Sequence, residues 1–267
     1  MSLPITGPNP SSVPTVATAA VKSADRALAI VDHIAGHGPL RFNQLIADLG
    51  IPRSSIHALL HTLVARRWLE FDDETRRYSI GLQAWQVGKS YTGHGDLLAV
   101  ARPVMDRLAA DIGQTVQLAR LDGMENVYIA ISESAAPMRL ASTVGSRLMA
   151  HATGLGKALL SQLSPEESAR RIRAVELARF TEATVTDPDQ LDALVAEARV
   201  RGYALDVEEL LVGCRCVAVP LMETDGMITA LSVTTLTQWT GPEWPEPELE
   251  QIRVAAGIIR ARVRIAG

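Results

Sequence analysis

Cysteine is nearly absent: Cys214 and Cys216 are the only two in 267 residues. Two positions apart on an extended strand they point the same way. Neighbours that close rarely form a disulfide, and two thiols cannot complete a tetrahedral zinc site alone. Such sparse cysteine suits a reducing cytosol. Also missing is any apolar run near the ~20 residues that a membrane-spanning helix needs. The opening MSLPITGPNPSSVPTVATAA has neither a basic start nor a continuous apolar stretch, so it does not read as a secretory signal. Its Pro, Ser and Thr content predicts a disordered arm over 1–20. A cytoplasmic protein is expected. Net positive charge is lacking too, with 26 Lys/Arg against 30 Asp/Glu and a formal charge of −4. That balance argues against nucleic acid until it is divided along the chain. Residues 1–90 hold nine basic and seven acidic side chains, and the remainder holds 17 and 23. The N-terminal excess is small, so tight binding to phosphates would need two or more copies acting together.

Motifs of catalysis are missing as well. Around Gly156-Lys157 the phosphate-loop pattern GxxxxGK[ST] fails twice, with His151 in place of its first glycine and Ala158 in place of its hydroxyl. No GxSxG elbow and no HxE…CxxC pattern occurs. His57 and His61 lie four apart, but HALLH lacks the Glu that a zinc protease uses as base. Neither enzyme activity, cofactor nor metal is expected.

What is present centres on LRFNQLIADLGIPRSSIHALLHTLVARRWLEFDDETRRYSI, residues 40–80. Leu45, Ile46 and Leu49 recur at helical spacing over 42–49. Gly50 follows, where a left-handed residue ends a helix at low cost. Pro52 then sits at the start of a second helix, where its missing N–H matters least. Ile56, Leu59, Leu60 and Leu63 form the buried stripe of that helix, which leaves Arg53, Ser54, Ser55, His57, Ala58 and His61 facing outward. A polar, partly basic face at a helix N-terminus suits a DNA major groove. An earlier helix over 23–33, with Ser23 as N-cap, offers Ala27, Leu28, Ile30, Val31 and Ile34 to the same core. Residues 68–71 and 77–80 read as strands around DDET. This is a winged helix-turn-helix with Arg41, Arg76 and Arg77 in reach of phosphates. A helix pair around a Gly-Pro turn can also be mere packing; the added wing and the polar outer face favour DNA.

Beyond residue 81 the texture changes. LQAWQVGKSY and LLAVARPVMDRLAADIG read as helices, with Pro103 either in a first turn or bending a helix already begun. Their apolar faces offer a dimer contact. TVQLARL, Asp122-Gly123 and NVYIAIS form a hairpin signal with a slightly long loop. RLAST, ALDVEE, CVAVPLME and MITALSVTTL add strands, the last two turning at Asp225-Gly226. ATGLGKALLSQL reads as a helix entered through glycines, residues 188–201 as a helix capped by Asp187 and closed by Gly202, and residues 248–264 as a C-terminal helix. Antiparallel hairpins with packed helices make an α+β domain. The predicted organisation is an arm over 1–20, a winged helix-turn-helix over 21–81, a connecting helical stretch over 82–98 and an α+β sensor domain over 99–267.

SADRALAIVDHI, LIADLGIPRSSIHALLHTL and RYSIGLQAWQVG in the first half resemble the IclR family of bacterial transcriptional regulators. So do LAADIGQTVQLARLDG, VGSRLMAHATGLGKALL, TDPDQLDALVAEARVRGYALDVEE and GCRCVAVPL in the second. The blocks stand in the family's order and cover nearly everything after the arm. The resemblance makes 82–98 a linker helix and 99–267 a GAF-like effector-binding domain, and it implies dimers or tetramers on palindromic operators and a small organic acid or aromatic metabolite as effector. Carried over by position, the ligand pocket falls on Leu140, Gly154, Leu155, Asp206, Cys214, Cys216, Ser232 and Thr234. N–H groups after Gly154 could hold a carboxylate, and Ser232 and Thr234 could aim two hydroxyls at one point. Asp206 fits an anion poorly unless it meets a ligand O–H or N–H. Ala58 departs from the basic residue that many relatives carry in this helix. Trp239 or Trp244 could close over an aromatic ligand or pack as a C-terminal cap.

Two other readings remain at this stage. An enzyme with a winged docking module would need a nucleophile–base pair, and none is evident. A protein-interaction adaptor would lack the steep salt dependence of DNA binding.

Overall fold

The computed structural model describes residues 3–4, 21–90, 95–133, 140–141, 143–224 and 227–266. The arm expected over 1–20 lies outside them, apart from β1 (Leu3–Pro4). So does the Asp225-Gly226 turn. The chain divides into two units, Ser12–Gly93 and the remainder.

In the first unit α1 spans Lys22–His37, longer than the sequence predicts, and its N-cap is Val21 rather than Ser23. The Val21 carbonyl takes the Ala24 and Asp25 N–H groups at 2.9 and 3.1 Å, so the first turn closes without a side-chain cap. Ile30 and Ile34 are buried, but Leu28, expected in the core, is 63% exposed. Two residues of helix rotate about 200°, which puts Leu28 on the face opposite Ile30. After β2 (Leu40–Arg41), α2 runs Phe42–Leu49 and ends on Gly50 at φ 61°. α3 runs Arg53–Ala65 from Pro52. Leu45, Ile56, Leu60 and Leu63 of this pair share one core with Ile30, Ile34 and Leu69.

The wing consists of β3 (Leu69–Asp72) and β4 (Arg77–Ile80), paired from Leu69↔Ile80 to Asp72↔Arg77. Its first strand starts one residue later than expected, because the Trp68 N–H still bonds to Leu63 O at the end of α3. β2 pairs with β4 as a third strand, which two residues were too few to announce. α4 (Leu82–Lys89) follows Gly81, where a Cβ would lie 2.4 Å from Arg67 O. Two helices rather than one occupy the predicted linker: α4 stops at Lys89, and α5 opens at Gly95.

The second unit begins with α5 (Gly95–Ile112), which carries Pro103 in its interior rather than its first turn. β5 (Thr115–Asp122) and β6 (Glu125–Ser132) form the hairpin. Asp122 pairs directly with Glu125, so the loop is tighter than expected. Next come β7 (Leu140–Ala141), parallel to β1, and β8 (Arg147–Met149). A 3-10 turn at Ala150–Ala152 leads into α6 (Gly154–Leu160). α7 (Pro165–Arg173), not among the expected elements, is capped by Ser164, and α8 (Pro188–Arg201) is capped by Asp187. β9 (Ala204–Val207), β10 (Cys214–Thr224), β11 (Met227–Leu236) and α9 (Glu246–Ala266) complete the unit.

Its sheet is antiparallel, in the order β8-β6-β5-β11-β10-β9. Strand alternation sorts the side chains to two faces. Val116, Leu118, Val217, Val219, Leu231 and Val233 meet α5 and α9 on one. Ala119, Leu121, Cys216, Ala218 and Ala230 meet α6, α7 and α8 on the other. A bulge opposite Leu118/Ala119 gives β6 an extra residue. Ile129 and Ala130 therefore both join the first core, and Tyr128 turns to the second.

Candidate functional site

In the first unit, burial of Ile56, Leu60 and Leu63 turns the opposite side of α3 outward. Arg53, Ser54, His57, Ala58 and His61 are exposed there, and Ser55 is half-buried. Two of these side chains share a support that the sequence did not announce. The Arg53 guanidinium lies 5.2 Å from the centroid of the Phe42 ring, and the His57 ring meets the same ring edge-on at 6.2 Å. Phe42 opens α2, so the first helix of the motif steadies the tip of the second. Arg41 is exposed beside it, with its N–H on Gln44 Oε1 at 2.9 Å. On the wing, Arg76 turns at φ 56° and lies 4.8 Å over Phe71, with Asp73 at 3.4 Å. Arg77 donates to Pro39 O at 3.1 Å. The arrangement presents a polar helix face and a basic ribbon edge, as groove-reading domains do.

The second unit holds a pocket of about 450 Å³, part of it open to solvent. Leu155, Asp206, Cys214, Cys216 and Thr234 line it, all five named by the sequence. Gln117, Tyr128, Thr153, Leu210 and Leu211 complete the wall. Gly154 stands behind it: a Cβ there would lie 3.2 Å from Cys216 Sγ and 3.3 Å from Asp206 N, so the glycine lets α6 pack against β9 and β10. The Thr153 hydroxyl accepts the Gly156 N–H at 2.9 Å and donates to Asn126 Oδ1 at 2.9 Å. One of the N–H groups expected for a carboxylate is thereby used. Ser232 is wholly buried, and both it and Thr234 donate to Gln117 Oε1, at 2.9 and 2.8 Å. The two hydroxyls do converge, but on a glutamine. Its sequence signal was a lone amide on the inward side of TVQLARL. Of Leu140 only the backbone position in β7 is described.

Asp206 is 6% exposed and accepts the Glu209 N–H at 2.8 Å. Burial pushes its carboxyl up to about 7, against the pull of Lys157. Lys157 is itself buried and pairs with Glu209, whose second oxygen is buried without a partner. Burial, reinforced by the charge of Asp206, pushes Cys216 up to about 12 and Cys214 to about 11, so both stay as thiols at neutral pH. Desolvation lowers buried His151, whose Nε2 meets Ala178 O at 2.9 Å. Trp244, offered as a lid, has its ring 5.1 Å from the Arg215 guanidinium, and neither it nor Trp239 lines the pocket. Among the described residues no group of three His, Cys, Asp or Glu could hold a metal ion, and no helix is long and apolar enough to cross a membrane.

A winged helix-turn-helix and a pocketed α+β domain in one chain define a DNA-binding transcriptional regulator with an effector domain. Comparison with known proteins agrees. Residues 23–73 match the IclR helix-turn-helix domain, and residues 89–259 match the C-terminal domain of bacterial IclR regulators. The regulator BhcR of Paracoccus denitrificans is 35% identical over 210 residues, which cover 79% of this chain and 75% of that protein. The transcriptional repressor IclR of Escherichia coli is 33% identical over 220 residues, 81% and 80% of the two chains. An IclR homologue from Microbacterium hydrocarbonoxydans, solved with 4-hydroxybenzoate, has the same fold, with a TM-score of 0.80 at 24% identity over 91% of this chain and 99% of that one. The chain belongs to the IclR family of transcriptional regulators. Its relatives are regulators and repressors, not enzymes.

Proposed function

We propose that this regulator binds a palindromic operator as a dimer or tetramer, and that a small organic or aromatic acid in the second-unit pocket sets its affinity for that operator. Arg53, Ser54, Ser55, His57 and His61 contact base edges, and Arg41, Arg76 and Arg77 contact phosphates. Asp206, Leu155, Cys214, Cys216 and Thr234 touch the effector, with Gln117 joining them and Ser232 holding Gln117. Gly154 shapes that wall from behind. The reading keeps DNA contact within 21–81 and effector contact within 99–267.

The pocket is the observation that carries it. Its wall mixes leucines and thiols with a few convergent polar groups, as small-molecule sites do. Oligomerisation is supported by α4, which buries none of its side chains and leaves Leu82 and Trp85, three apart on one face, 51% and 58% exposed. A second copy would cover that face and double the modest basic charge of the DNA-binding unit.

Occupancy can alter operator affinity only if the two protein arrangements bind the effector differently. A thermal-shift screen of small carboxylates and aromatic acids tests the pocket, because a ligand of the folded state raises Tm by mass action. We expect at least one compound to raise Tm and to change operator affinity measured by fluorescence anisotropy. A broad panel without a single hit removes the effector reading and leaves the DNA-binding assignment standing.

A further inference from the structure

The pocket has, among its described residues, one ionisable group that can change charge near neutrality, and a buried ion pair behind it. Among the described lining residues Asp206 is the sole Asp, Glu, Lys, Arg or His. Beside β9, on its partner strand β10, stand the thiols of Cys214 and Cys216, with Tyr128 of β6 also on the wall, all of which burial holds in their neutral forms. Behind the wall, α6 contributes the ammonium of Lys157, and the turn after β9 contributes the carboxylate of Glu209, joined as a buried pair. That turn also carries Glu208, whose carboxylate accepts from the Thr237 hydroxyl at 2.9 Å. The charges of α8 are engaged elsewhere: Asp189 with Arg173, Glu197 with Arg201, and Arg199 with the Ser161 and Leu163 carbonyls. Asp192 lies 4.0 Å from Arg173.

The local charge is therefore simple. Lys157 and Glu209 cancel in net charge, but at Asp206 the pull of Lys157 exceeds the push of Glu209. With Asp206 protonated the wall is neutral, and with Asp206 ionised it carries one buried negative charge. An anion entering that space would meet no cation among the described lining residues, and an ionised Asp206 would repel it at low dielectric. Resting on the effector reading above, we propose that an anionic effector binds this pocket together with one proton, carried by Asp206, while the Lys157–Glu209 pair fixes the pH at which that proton is taken up. The protonated carboxyl then becomes a hydrogen-bond donor to the anion. This resolves the poor fit between an acidic pocket residue and an acidic ligand.

Asp206 has a second duty that makes its charge consequential. It accepts from the backbone of Glu209, in the turn that supplies Leu210 and Leu211 to the pocket wall. The same turn is tied from behind by Lys157, and by Thr181 and Thr184, whose hydroxyls donate to Glu208 O at 2.7 Å and Glu209 O at 2.6 Å. The residue that titrates is thus the residue that anchors the wall.

The sign follows from burial. Desolvation raises the carboxyl of Asp206 toward neutrality, so the protonated form prevails below about pH 7 and is lost above it. Anion affinity should be flat below that point and fall about tenfold per pH unit well above it.

The test is isothermal titration of the full chain between pH 6 and pH 8.5, with 4-hydroxybenzoate as first probe and the tightest binder from a panel of monocarboxylates beside it, each in two buffers of different ionisation enthalpy. The expected result is net proton uptake rising toward about one per site at the alkaline end. The neutral amide of the same acid should bind without that uptake. Asp206→Asn, which keeps the acceptor for the Glu209 N–H, should bind the anion with affinity independent of pH. Glu209→Gln leaves Lys157 uncancelled and should move the midpoint to lower pH, which a purely structural role would not do. Binding with no proton exchange, or affinity that rises with pH, overturns the proposal and leaves the effector site standing. No carboxylate binding at any pH overturns both.

Discussion

Single residues decide more than their size suggests. Gly156 has no special φ to satisfy, yet a Cβ there would lie 2.1 Å from the carbonyl oxygen of Ala150, a backbone atom that cannot swing aside. Gly156→Ala should therefore force α6 off the 3-10 turn before it and cost about 1–3 kcal/mol as overpacking. Urea denaturation of the full chain would register this as a lower midpoint, and an unchanged midpoint would show that the turn yields freely. The sequence displayed the glycines of TGLGKA but not their purpose, which depends on the 3-10 turn at Ala150–Ala152 and on β9 and β10, far apart along the chain. Asp206 was visible as an acid on a strand. The charges of Lys157 and Glu209 behind it were not, because only the fold brings positions 157, 206 and 209 together.

At the scale of elements, α3 was the most legible part of the molecule. Its apolar spacing, Gly50 and Pro52 fixed both its start and its outward face. Less legible were β2 and β8, two and three residues long, too short to show alternation. α1 overran its predicted ends because backbone groups closed it where a side-chain cap had been sought. Phe42 shows how one element serves another: it belongs to α2 but supports Arg53 and His57 on α3. Phe42→Leu keeps an apolar side chain in a half-buried position and removes the aromatic face. We expect it to weaken operator binding several-fold with little change in Tm. Arg53→Ala should weaken it further, by about 1–3 kcal/mol if the guanidinium reads a base edge. Anisotropy titrations of both variants at one salt concentration compare these directly; equal affinities for native chain and Phe42→Leu would show that the ring does not order the outward face of α3 for binding.

At the scale of the whole molecule, the division of charge explains how an acidic chain can bind an acidic polymer. The basic excess is confined to the N-terminal third and is small, so the proposed function draws its affinity from geometry and from more than one copy. Direct examination of that geometry requires no knowledge of the target gene. The native chain is incubated with a pool of randomised duplexes, bound molecules are recovered and sequenced, and the enriched site is titrated between 50 and 200 mM salt. The account predicts an inverted repeat with half-sites about 34 Å apart along the duplex, and a steep loss of affinity with salt. Enrichment of no sequence, or binding indifferent to salt, would contradict the claim that the polar side of the helix beginning at Arg53 enters a groove of DNA.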